Sequence, residues 1–204
     1  MSDRKFASFG YDCRAGFQIR RYFGKEKCAP TIFDRQVTPP DAICAYLDND
    51  FEGMFEAGDV ERVGGYLFNM RYGVRYSHEV EDAFKVGYEA GAAEHERLCQ
   101  LTREALLGTV PLLLVIHKTK AFRRPEDLGR KVGNYSTAHE VLVIEDASPV
   151  PPGQAAWRGN NDFWDLVLAP YGEKLHVSPW ATQTKRLKRH FKRFMGGSRN
   201  KWEG

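Results

Sequence analysis

The sequence predicts an α/β fold: a single three-layer domain with a mixed central sheet and helices on both faces. Three observations carry that expectation. The short apolar runs in "TVPLLLVIHK", "HEVLVIED" and "EKLHVSPW" lack polar alternation, as strands buried on both faces do. Helix-sized segments separate these runs, which suits crossover connections with helices on the sheet faces. The 204 residues, 42% hydrophobic and 28% charged, suffice for one sizeable core and are too few for two full-sized domains.

The elements follow in order. An apolar run at residues 6–11 gives way to a helix from about Cys13 to Phe23, stopped by Gly24, with Phe17, Ile19, Tyr22 and Phe23 near helical spacing. "TPPDAICAYLDNDFEGMF" reads as a second helix, with Pro40 and Asp41 in its first turn and Ile43, Cys44 and Leu47 on one face. "GGYLFNMRYGVRYSHEV" has the aromatic and β-branched content of a strand or hairpin, interrupted at Gly73, and delivers His78 at its far end. One helix over about Glu81 to Leu107 follows, with Leu98, Leu101 and Leu106 as its core face and Gly108 as its stop. Strand, short helix ("RRPEDLGRKVG") and strand then alternate, and residues 147–162 are too rich in Pro and Gly to be regular, a loop of the kind that borders sites.

The basic charge is concentrated at one end. Net charge is +3, but residues 185–201 hold eight of the 30 Lys and Arg, so the remaining 22 against 27 Asp and Glu leave the rest of the chain at −5. Leu187, Phe191, Phe194 and Met195 share a helical face there, which makes 185–204 a basic amphipathic helix and tail attached to a domain at 1–184. Lys185, Arg186, Lys188, Arg189, Lys192 and Arg193 suit an anionic membrane surface or nucleic-acid phosphates; the same helix also suits packing on the domain with its cations in water.

Several classes are excluded. No run approaches the roughly 20 apolar residues of a membrane span, and "MSDRKFASFGYD" lacks a secretory pattern, so a cytoplasmic protein is expected. Cys13, Cys28, Cys44 and Cys99 form no CxxC pair, and neither HExxH nor a phosphate-loop motif occurs. No metal or cofactor is expected.

Cys13 is the residue on which function turns. It sits where a strand-like run meets a helix, so the helix N-terminus and the adjacent Arg14 favour a thiolate, while Asp12 opposes it unless it caps the helix and points away. Spacing alone leaves open a nucleophile or a small buried side chain.

"SFGYDCRAGFQIRRYFG", "IFDRQVTPPDAICAYLDNDFEGMF" and "YGVRYSHEV" together resemble a bacterial family of unknown function assigned to the papain-like cysteine peptidases. The likeness runs from about Phe6 to beyond Glu145. Ser8, Gly10, Tyr11 and Cys13 match its first motif, Phe33, Asp34, Thr38 and Pro39 its second, and His78 the histidine of its third. Phe9, Arg35 and Glu79 depart from it, standing where Leu, Trp and Asp are usual.

The resemblance implies Cys13 as nucleophile, His78 as general base, a peptide or other acyl substrate, and no cofactor. For the group that orients His78, Glu79 on an extended strand would face away, leaving Asp34 and Asp146, the latter at the carboxyl end of a strand. Gln18 lies too far into the helix to serve as an oxyanion donor, and His117 is the fallback base. His95 and His190 read as solvated helix positions, and His139 and His176 as strand flanks.

A second reading is a non-catalytic module for glycan or surface-polysaccharide metabolism, docked on membrane by the basic helix. Its contact surface would be Trp157, Arg158, Asn160, Asn161, Asp162 and Trp164. The plainer role for Trp164, with Leu166 and Leu168, is to anchor a C-terminal element in the core.

Overall fold

The computed structural model describes residues 4–118 and 125–175. The chain runs β1 (Lys5–Ser8), α1 (Cys13–Phe23), β2 (Gln36–Val37), α2 (Pro40–Asp48), β3 (Val60–Val63), β4 (Tyr66–Asn69), β5 (Val74–Tyr76), α3 (His78–Phe84), α4 (Tyr88–Leu107), β6 (Leu112–His117), α5 (Pro125–Gly133), β7 (Glu140–Ile144) and α6 (Asn161–Leu168). Described residues up to Glu173 belong to one unit, and a second begins at Lys174.

The α/β class follows from burial. β6 is the middle strand of a parallel sheet ordered β1-β6-β7, and all six of its residues are buried. Leu112, Leu114 and Ile116 join Ile43 of α2, Leu98 and Leu106 of α4 and Leu128 and Val132 of α5. Leu113 and Val115 face the other way, into Ala15, Ile19 and Phe23 of α1 and Trp164 and Leu168 of α6. Helices therefore cover both faces, which is why the run has no polar alternation.

The antiparallel pairings lie in a second sheet, ordered β2-β5-β4-β3, so the parallel and antiparallel parts of the mixed arrangement are carried by two sheets. Strands β2, β4 and β5 alternate. Gln36, Leu67, Asn69, Val74 and Tyr76 are buried, while Val37, Phe68 and Arg75, aligned by register, form a row on the opposite face.

Two expectations need correction here. The single helix over Glu81–Leu107 is two: α3 ends at Phe84, the chain extends at Gly87, and α4 begins at Tyr88. Its return brings Gly91 against Phe84, where an added Cβ would lie 3.0 Å from the ring. His95 is not solvated but 2% exposed, because it shares the buried face of α4 with Gly91, Leu98, Cys99 and Thr102. Its Nε2 lies 2.8 Å from the Tyr46 hydroxyl, and burial pushes its pKa down to about 3, so the ring is neutral.

The run at "EKLHVSPW" from His176 on, the basic helix with its six cations, His190 and the 184/185 boundary lie outside the described residues. Among the described residues no helix is long and apolar enough to cross a membrane, and no group of three or more His, Cys, Asp and Glu is placed to hold a metal ion.

Candidate active site

The β1–α1 junction brings Cys13 to the carboxyl edge of the parallel sheet, beside the ends of β6 and β7. Asp12 is the N-cap of α1, with an extended backbone and a carboxylate that accepts from the Arg14 amide at 2.9 Å. His117, the last residue of β6, places Nδ1 3.3 Å from the same Asp12 oxygen and Nε2 3.1 Å from Arg14 Nη1. A guanidinium only donates, so Nε2 accepts and the ring proton sits on Nδ1, facing Asp12. Burial would raise the Asp12 carboxyl, but its contacts with His117 and the Arg14 amide outweigh it and hold the group below its ordinary value. His117 is thus locked in a structural role, with 6% exposure.

Arg14 also fastens the loop that follows β7. It donates to the carbonyls of Ala156 (2.9 Å) and Trp157 (3.2 Å) and reaches the fully buried Asp146 at 3.4 Å. Asp146 takes a further bond from the Trp164 indole at 2.8 Å. Gly159, at φ +74°, lies so close to that carboxylate that a side chain would collide with it. Gln18 joins the same brace, donating to the Arg158 carbonyl at 2.5 Å and the Asn161 side chain at 3.0 Å.

His78 arrives from the antiparallel sheet. It is not the end of a strand: β5 stops at Tyr76, and His78 is the first residue of α3, with a left-handed φ of +56°. That conformation is strained for a residue with a Cβ, and neighbours hold it. The Ser77 amide and hydroxyl both donate to the Arg35 carbonyl, at 3.1 and 2.9 Å, and the Arg35 guanidinium pairs with Glu79 at 2.5 Å. Arg35 and Glu79, two of the three departures from the family pattern, are partners of each other.

The imidazole Nε2 lies 3.7 Å from Cys13 Sγ. Both residues line a cleft of about 800 Å³, whose lining also includes Tyr11, Phe17 and Trp157 and the sheet residues Val37, Phe68 and Arg75. The thiol is half-buried; burial first, then the charges of Asp12 and Asp34, push its pKa up against Arg20 and Arg75. Helix terminus and Arg14 thus do not yield the lowered thiol that the sequence suggests, because Arg14 turns to Asp146 and the loop.

The two carboxylates go elsewhere. Asp34 lines the cleft but pairs with Arg20 at 2.9 Å, its Oδ1 packed on α1 where a Cβ at Gly16 would collide with it. Burial raises Asp34 in spite of the Arg20 and Arg35 charges. Asp146 belongs to the Arg14 brace. Among the described residues neither is hydrogen-bonded to His78.

Cys28, Cys44 and Cys99 are free thiols apart from the cleft. His139 accepts from the Leu112 amide and donates to the Leu106 carbonyl, a packing role. Trp164 and Leu168 are fully buried anchors while Leu166 is 77% exposed, and Trp157, edge-on to Phe17, belongs to the cleft wall. The sequence reading gives Arg14 only a part in favouring the thiolate and does not single out Arg75. For Arg75 the signal was its place between Val74 and Tyr76, the outward position of an alternating strand.

No family model, curated protein or solved structure matches the chain.

Proposed function

We propose that this protein is a thiol hydrolase or acyl-transfer enzyme with papain-like chemistry, using Cys13 as nucleophile and His78 as general base. The 3.7 Å approach of Sγ and Nε2, across 65 positions of sequence and inside a cleft, carries the reading. Its mechanism is a dyad. As Sγ attacks the substrate carbonyl, His78 takes the thiol proton; the imidazolium then returns that proton to the departing amine or alcohol, leaving a thioester on Cys13. Water, deprotonated by His78, cleaves the thioester and restores the thiol. A thiol whose pKa is pushed up by burial makes the attack depend on the imidazole. A cytoplasmic location goes with this reading, supported by four free cysteines.

The test is acylation by p-nitrophenyl acetate, followed by p-nitrophenolate release and by mass spectrometry of the modified peptide. Acetyl is expected on Cys13, absent in Cys13→Ala, and formed about a hundredfold more slowly in His78→Ala. Acylation at another residue, or an unchanged rate in His78→Ala, would overturn the proposal.

A further inference from the structure

The cleft is lined by three arginines, and their partners differ. Arg20 is paired with Asp34 at 2.9 Å and Arg35 with Glu79 at 2.5 Å. Arg75 is the exception: among the described residues no carboxylate lies within 4.0 Å of its guanidinium. It stands in the middle of the row Val37–Arg75–Phe68, on the face of the antiparallel sheet turned to the cleft. The guanidinium lies over the Tyr66 ring, 4.9 Å from its centroid, which orients the group without neutralising it. Arg75 and Cys13 line the same cleft.

An oriented guanidinium offers paired N–H donors that match the two oxygens of a carboxylate. One unpaired guanidinium balances one negative charge, which suits a carboxylate better than a phosphate dianion. The cross-strand neighbours of Arg75 in the lining, Val37 and Phe68, are apolar, and the two carboxylates that also line the cleft have partners of their own: Asp34 pairs with Arg20, and Asp12 with His117 and the Arg14 amide. We infer that Arg75 is the specificity residue of this cleft and that the acyl substrate carries a carboxylate, bound by Arg75, near the carbonyl that Cys13 attacks. The inference rests on the thiol-enzyme reading above and adds the substrate class to it.

The experiment compares alkylation of Cys13 by iodoacetate, an anion, and by iodoacetamide, its neutral counterpart, in the whole protein. Both reagents consume the same thiolate, so their rate ratio cancels any change in thiol ionisation. Relative to free cysteine, the iodoacetate-to-iodoacetamide ratio at Cys13 is expected to be raised about fivefold, the scale of one exposed ion pair. Arg75→Gln should return it to the free-cysteine value, and Arg75→Lys should keep part of the gain. Arg130→Gln removes an equal charge from an exposed position on α5 and should leave the ratio as in the wild type. A ratio indifferent to Arg75→Gln, or one that falls equally in Arg130→Gln, overturns the inference; thermal melts of each variant confirm that the fold is intact. The two proposals fail separately. Acetylation of Cys13 with a ratio that ignores Arg75 rejects the carboxylate site alone, whereas an Arg75-dependent ratio with no ester acylation rejects the enzyme.

Discussion

Cys13 and His78 approach the cleft from regions held in different ways. Cys13 stands on the parallel layer, where β6 is buried on both faces and Arg14, Gln18, Asp146 and Trp164 tie the helix to the loop after β7. His78 stands beside strands of two to four residues, in a left-handed conformation secured by Ser77, Arg35 and Glu79. The thiol is fixed by the core of the fold and the imidazole by a short surface network. In such an arrangement the base is the adjustable member of the pair, and changes around it alter chemistry with little effect on stability.

The largest effect that would sharpen this contrast is expected from the thiol side. Trp164→Ala removes a fully buried indole and its bond to Asp146, and should lower the unfolding free energy by about 4 kcal/mol, measured by urea denaturation. A loss below about 1 kcal/mol would mean that the parallel layer is no more tightly determined than the antiparallel sheet.

Acid tests the core behind that sheet, where His95 packs edge-on to Tyr76 of β5. With its folded pKa pushed down to about 3 from 6.5, the unfolded chain takes the proton first as pH falls. Stability is therefore full above pH 6.5 and is lost as pH falls toward 3, by up to about 1.4 kcal/mol per pH unit. Denaturation midpoints measured across that window should show the slope, and His95→Asn should flatten it.

The smallest effect is expected at the imidazole itself. His78→Gly relieves the left-handed backbone and should raise stability by about 1 kcal/mol while removing the base. A variant less stable than the wild type would show that His78 is held by more than the surface network.

The same division decides what was legible in the sequence. The run "LLLVIH" announced β6 because burial on both faces leaves an unbroken apolar string, and α1 begins and ends at Cys13 and Phe23 as its capping and glycine signals indicate. His95 was hidden because Glu94, Glu96 and Arg97 surround it in sequence, although the helical period puts it on the face of Leu98 and Thr102. The thiol and imidazole entered through motif residues. The destinations of Asp34 and Asp146 did not, because Arg20 and Arg14 claim them through contacts that local patterning does not specify. Arg35 and Glu79 read as two separate positions in the sequence, and only the structure brings them together, at 2.5 Å.

The register of the parallel sheet also imposes an order in time. Among the described residues β1 has one strand neighbour, β6, and its Lys5 pairs with Leu112. A polypeptide is synthesised from its amino end, so α1 and its cysteine emerge well before the strand on which they must rest. The antiparallel sheet closes through nearer pairings, β3 with β4 and β4 with β5, and need not wait. On a translating ribosome the sheet beside His78 therefore has its partners first. The nucleophile can take its place on the parallel sheet only once residues 112–117 have been added.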